Sequence, residues 1–235
     1  MNTRWVGNKA QTYLLFIVVI LALGITATGF FHYQQYRDYV LGQKEREILA
    51  IANLKVGQIL NYREESLDDA EALFSNPLVV RPIREWLREG KEGRQQEDIL
   101  GYLESIRKAE EFDSVFLLDE LGKTRLSVTY GEAEPGDQAN TLVQQALQGR
   151  KVIVKDLYRD EKRNRIFFDL YVPLLGKTSD GLPSGVLLLR SDPNQFLYPL
   201  LRSWPTPSST AEILLVRREG EEALFLNDLR HARNT

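Results

Sequence analysis

Cysteine is absent from the 235 residues of this chain. That excludes disulfides, thiolate nucleophiles and cysteine-ligated zinc. It also suits an oxidising compartment such as a bacterial periplasm. Histidine is scarce, with only His32 and His231 present. His231 follows Leu229-Arg230 in a hairpin rather than in a helical phospho-acceptor box, and reads as structural. Long basic runs are lacking and the formal net charge is -3, which argues against nucleic acid as a partner. Catalytic signatures are missing too. Gly122-Lys123-Thr124 and Gly176-Lys177-Thr178 mimic part of a phosphate loop, but the glycine required five residues earlier is Leu117 in one case and Tyr171 in the other. No Gly-x-Ser-x-Gly elbow exists. Acidic pairs such as Glu64-Glu65, Asp68-Asp69 and Glu110-Glu111 fit solvated helix faces. Neither a cofactor nor a metal is expected, and any kinase or cyclase activity would lie in a further C-terminal part.

What is present is one long uncharged run, Ala10 to Phe31, heading an otherwise polar chain. As a helix, its centre, Tyr13 to Phe31, rises about 28 Å, close to one hydrocarbon core. It is too long for the apolar part of a cleaved signal peptide, although Arg4, Lys9 and Ala27-Thr28-Gly29 would supply the flanks of one. A retained anchor is expected over 13–31, with residues 1–12 as a cytoplasmic tail and the remainder outside the cytoplasm. The basic residues before the span (Arg4, Lys9) and after it (Arg37, Lys44, Arg46) nearly balance, so orientation rests on the short tail. The whole chain is 43% hydrophobic and 27% charged, a globular composition.

Proline is missing from Gln34 to Ser75, and Gly42 and Gly57 are the only glycines there. Apolar residues recur every three to four positions, which predicts a long amphipathic helix stopped at Ser75-Asn76-Pro77. It is long enough to reach about 60 Å and to pair with a second copy. Helices are predicted over Val79 to Glu89 and Asp98 to Glu111, with Lys91 to Gln96 as a loop. Strands follow at Phe112 to Asp119 and Lys123 to Thr129. Next come a loop from Gly131 to Gln138 and a helix from Ala139 to Gln148. Strands at Lys151 to Arg159, Arg165 to Leu175 and Ser184 to Ser191 complete a set of five, with a loop from Gly176 to Pro183. Asp192 is placed as N-cap of a last helix running through Leu201. The result is an α+β fold, a five-stranded antiparallel sheet with flanking helices. Residues 202–210 read as a linker and 211–235 as one more hairpin. That hairpin either packs back or opens a second module of a longer protein, and the second alternative is favoured.

Val115-Phe116-Leu117-Leu118-Asp119 with its Gly122-Lys123 turn, Tyr171-Val172-Pro173-Leu174 and Gly185-Val186-Leu187-Leu188 follow one another behind a membrane span. This order resembles the Cache domain, the extracytoplasmic, PAS-like sensor module of bacterial receptors. The likeness covers residues 34–201. It implies a small-molecule sensor in a signal-transduction receptor, most like a two-component histidine kinase. It also implies a second module, a second span and a cytoplasmic output domain further on. Family members that bind amino acids carry an aromatic residue, an Arg five positions later and then a Trp-Tyr pair. Tyr158 and Arg163 keep that spacing, but Arg165 and Ile166 replace the pair, so an amino-acid ligand is not expected.

Alternation splits the longest strand into two faces. Ile166, Phe168, Leu170, Val172 and Leu174 form a core face, whereas Phe167, Asp169 and Tyr171 mix aromatics with a carboxylate. An apolar wall with a few placed polar groups suits a small ligand. Asp169 and Tyr171 are therefore candidate ligand-binding residues, joined by Asp156 and Tyr158 on the third strand and by Arg125 and Ser127 on the second. The carboxylates of Asp156 and Asp169 point to a cation or a hydroxyl donor. The competing assignments are a membrane-anchored binding or scaffolding protein without an output domain, which would dimerise through the long helix, and a tethered hydrolase.

Overall fold

The computed structural model describes residues 4–90, 92–129, 134–160, 162–175, 185–205 and 211–227. His231, the loop of 176–183, the 206–210 part of the linker and the end of the last hairpin lie outside the described residues. The chain divides into two units, Met1–Leu54 and Lys55–Thr235. Helix α1 spans Arg4–Ser75.

In the first unit the apolar stretch is exposed along its whole length, from Tyr13 to Phe31. The helix there is long and apolar enough to cross a membrane. The hydroxyls of Thr26 and Thr28 donate back to the carbonyls of Ala22 and Gly24, both at 2.8 Å. A polar side chain inside hydrocarbon needs such an internal acceptor.

The second unit begins with the last turns of α1 and continues through α2 (Pro77–Glu89) and α3 (Arg94–Ala109). Asn76 accepts the Leu78 amide at 3.0 Å, and Pro77 occupies the first position of α2, a favourable helix start. α3 begins at Arg94, inside the expected loop, where Gly93 takes φ 143° and turns the chain. Strands β1 (Ser114–Leu118), β2 (Thr124–Thr129), β3 (Ile153–Asp160), β4 (Arg165–Pro173) and β5 (Val186–Ser191) form one antiparallel sheet ordered β2-β1-β5-β4-β3. Helix α4 (Ala139–Gly149) is inserted between β2 and β3. The α+β architecture read from the sequence is the observed one.

The two faces of the sheet are covered differently. On one, Val115, Leu117, Leu170, Val172, Leu187 and Leu189 pack with Ala70 of α1, Trp86 of α2 and Leu103 of α3. Burial of each such leucine stabilises the fold by about 2 kcal/mol. Tyr62 of α1 stacks on Phe196 with ring centroids 4.0 Å apart. The Lys55 ammonium donates to the Leu200 carbonyl (2.6 Å) and the Ser203 hydroxyl (2.9 Å). On the other face, Phe116, Leu118, Tyr171, Val186 and Leu188 meet Ala139, Val143 and Ala146 of α4. The small alanines let α4 approach that face closely.

Two elements differ from expectation. Asp192 does not cap α5 (Leu197–Arg202), which starts five residues later. Its carboxylate instead accepts the Asn194 amide (2.9 Å) and Arg165 (2.7 Å), which holds residues 193–196 in a turn before the helix. The last hairpin, β6 (Val216–Glu219) and β7 (Glu222–Phe225), returns to the sheet domain. Leu226 is buried in the main core, its carbonyl accepts the Tyr198 hydroxyl, and Arg217 donates to the Leu157 carbonyl.

Gly185 enters β5 where no side chain fits. A Cβ there would stand 2.5 Å from the Leu118 carbonyl oxygen and 2.7 Å from Leu87. Gly185→Ala is expected to destabilise the domain by about 1–3 kcal/mol, read as a lower urea midpoint with an unchanged slope.

Candidate functional site

The register of the sheet assembles a polar cluster on the α4 face. Asp169 of β4 lies opposite Arg190 of β5 and, on its other side, opposite Lys155 of β3. Arg190 and Asp169 are both fully buried. Arg190 Nε donates to Asp169 Oδ1 (2.9 Å) and its Nη2 to Oδ2 (3.0 Å), a two-pronged ion pair. The same Nη2 donates to the Tyr158 hydroxyl (2.8 Å), and Nη1 donates to the Glu134 carbonyl (3.0 Å). Tyr158 in turn donates to Asp169 Oδ2 (2.6 Å). The guanidinium carbon stands 4.8 Å from the Phe167 ring centre and 5.5 Å from that of Phe116.

Burial is the largest single influence on Arg190 and opposes its charge, but the attraction and hydrogen bonds of Asp169, with smaller contributions from Tyr158 and Tyr171, together keep the guanidinium above its ordinary range. Burial, and then the Asp169 charge, push the phenols of Tyr158 and Tyr171 above theirs. Lys155 is half-buried, with its ammonium 3.5 Å from the centre of the Tyr158 ring. Burial lowers its pKa, and the Asp169 charge acts in the opposite direction. Tyr171 is fully buried and its hydroxyl has no hydrogen-bond partner among the described residues. A buried hydroxyl left unpaired costs about 1–3 kcal/mol.

Of the residues singled out in the sequence, Asp169, Tyr171 and Tyr158 come together. Asp156 does not join them. A bulge interrupts the pairing of β3 with β4 between Lys155 and Tyr158. Asp156 is therefore exposed and accepts the following Leu157 amide (2.8 Å). The bulge puts Lys155 on the face where strict alternation would put Asp156. Arg125 stands apart, 5.8 Å from the Trp86 ring and 3.9 Å from the Asp119 carboxylate, next to a second irregularity in β1–β2. Ser127 is exposed opposite Phe116, on the edge strand β2. Arg190 and Lys155 are the two residues that sequence reading missed. The Asp169 carboxylate, expected to take a cation or a hydroxyl donor, is occupied by Arg190 and Tyr158. Among the described residues, no group of three or more His, Asp or Glu stands ready to hold a metal.

No protein-family model matches the sequence. No curated protein matches it either. Among solved structures, the chain is similar to the ligand-binding domain of the Pseudomonas aeruginosa PAO1 amino-acid chemoreceptor PctC in complex with GABA, at 19% identity, TM-score 0.49, over 68% of this chain and 65% of that one. It is also similar to the sensor domain of the V. cholerae histidine kinase DctB, at 11% identity, TM-score 0.49, over 63% and 55%. A third similar structure is the ligand-binding domain of the Campylobacter jejuni chemoreceptor Tlp3 in complex with L-norvaline, at 13% identity, TM-score 0.48, over 65% and 60%. These neighbours are sensor domains of chemoreceptors and histidine kinases. The chain spans between 55% and 65% of the length of these three domains.

Two outcomes follow from this geometry. Asp169→Asn or Arg190→Met alone is expected to cost about 3–5 kcal/mol, because each leaves a buried charge unpaired. The Asp169→Leu/Arg190→Met double variant should cost well below the sum, and a double-mutant cycle by urea denaturation measures the difference. Separately, the raised phenol pKa values of Tyr158 and Tyr171 mean that the folded state keeps protons that the unfolded chain releases. Their contribution is complete below the unfolded phenol value and declines as pH rises past about 10. Urea midpoints followed through that range should fall, and fall less in Tyr171→Phe.

Proposed function

We propose that this chain is the ligand-sensing, extracytoplasmic region of a membrane-bound signal-transduction receptor. The observation that carries this reading is the cluster beneath α4. A charged pair, two tyrosines and a lysine occupy a sheet face where leucines would pack without desolvating a charge. Buried ionisable groups with perturbed pKa values concentrate at functional sites. One of them, Tyr171, has a hydroxyl without a partner among the described residues. The apolar helix at the head of the chain supplies the anchor, and the Cache-like order of elements over 34–201 fits a sensor module behind it. Asp169, Tyr158 and Tyr171 are the proposed lining of the ligand site, Asp169 through the groups it holds in place.

In this proposal residues 1–12 lie in the cytoplasm, 13–31 cross the inner membrane and the rest lies in the periplasm. The output is a histidine kinase in a two-component system. Within the first unit, Leu41 and Ile48 are exposed and lie seven residues apart, on one side of the helix. That spacing supports a homodimer through α1. Ligand binding shifts the sensor between two arrangements by its differential affinity for them.

The test is a thermal-shift screen of the full chain in detergent micelles against small carboxylates, amines, nucleobases and sugars. At least one class should raise the melting temperature by mass action, and Tyr171→Phe should diminish that shift. A cooperatively melting protein that responds to none of them overturns the sensor reading.

A further inference from the structure

The bulge in β3 takes backbone groups out of the ladder, and side chains take them up. Asp156 and Leu157 together face the single residue Phe168, between the Lys155–Asp169 and Tyr158–Phe167 pairs. The partner strand leaves an extra residue of this kind unpaired. Here the Leu157 amide donates to the Asp156 carboxylate (2.8 Å), and the Leu157 carbonyl accepts from Arg217 Nη1. Arg217 belongs to β6, 60 residues further along the chain. Both backbone groups of Leu157 are thus held by charged side chains, one from β3 itself and one from the β6–β7 hairpin.

The hairpin that carries Arg217 is seated on the domain. Ile213, Leu215 and Leu224 pack against the main core, in which Leu226 is buried. The Asn227 side chain closes the open end, accepting the Leu215 amide (2.6 Å) and donating to the Ile213 carbonyl (2.9 Å). Arg217 stands opposite Leu224, so it shares the inner face of the hairpin. The head of β3 has less to fix it. It is the last strand of the sheet, and Val152-Ile153-Val154 is apolar at every position. Register is set by the hydrophobic pattern, and such a run carries none. A shift by one residue exchanges Ile153 for Val154 opposite Tyr171, one branched aliphatic for another.

We infer that the β6–β7 hairpin locks the register of β3: Arg217, by holding the Leu157 carbonyl, keeps the bulge open and Lys155 beneath α4. Without that bond the head of β3 can move on by one residue, and Leu157 then pairs with Phe168 in an ordinary ladder. The seat of the hairpin and the residues presented beneath α4 are therefore linked, and a bias on either is felt at the other. This goes beyond the sensor reading and holds whether or not a ligand binds there.

Amide hydrogen exchange, followed by NMR on the full chain in detergent micelles, tests the lock. In Arg217→Met the amides of Ile153–Lys155 that face β4 should lose protection about tenfold or more, because even a small population of the shifted strand turns them away from their acceptors. The amides of Asp169–Tyr171 that face β3 should keep theirs, since a shifted strand still pairs with β4. Asp156→Ala removes the other bracket of the bulge and should give the same one-sided loss, which keeps the test independent of how well Arg217→Met folds. Protection lost on both strands means that β3 merely frays, and overturns the lock. Protection unchanged on both strands, in Arg217→Met or in Asp156→Ala, overturns it as well.

Discussion

The Arg190–Asp169 pair is the constraint around which the α4 side of this domain is organised. Two full charges lie inside a sheet, and removing them from water is expensive unless every donor and acceptor finds a partner. That demand fixes β4 against β5 in one register. It also recruits the Tyr158 hydroxyl from β3 and the Glu134 carbonyl from the segment before α4. A core made of leucines alone would tolerate a slip more readily, whereas a slip of one residue here would strand both charges. Among the described residues, the opposite face carries no comparable polar cluster. It is an apolar seam, and its work is to bind the end of α1, α2, α3 and α5 to the sheet.

These two faces divide the labour. The seam gives the domain its stability through ordinary burial. The α4 face gives up some of that stability to hold polar groups in fixed positions. Pre-positioned polar groups in a mostly apolar wall are what lets a small site discriminate among ligands of similar size. The small alanines of α4 bring the helix close to Tyr171, so that face is enclosed by backbone and short side chains.

Much of this was legible in the sequence because the responsible signals are local. Alternation along β4 separated Ile166, Phe168, Leu170, Val172 and Leu174 from Phe167, Asp169 and Tyr171, and the sheet uses those two faces. The proline after Asn76 ended α1 at Ser75, and the antiparallel five-strand count held. The misses came from non-local or irregular features. Arg190 ends the run Val186-Leu187-Leu188-Leu189, which reads as a buried strand throughout, and only the pairing of β4 with β5 shows that it meets Asp169. Asp192 looked like a helix cap because its competition for Arg165, 27 residues earlier, is invisible in a local window. The last hairpin gave no local sign that Leu226 would bury itself in the main core.

The bulge in β3 has a consequence for how such a site changes over time. Asp156 and Lys155 are neighbours in the chain, and one extra residue in the strand decides which of them faces inward. Closing the bulge by sliding the start of β3 one residue, with the pairing toward Tyr158 kept, would set Asp156 opposite Asp169, turn the ammonium outward and bring the carboxylate in. The sign of the charge presented beneath α4 is therefore a property of backbone geometry as much as of composition. A one-residue slip of the start of β3 would do here what two opposite charge substitutions would otherwise be needed to do.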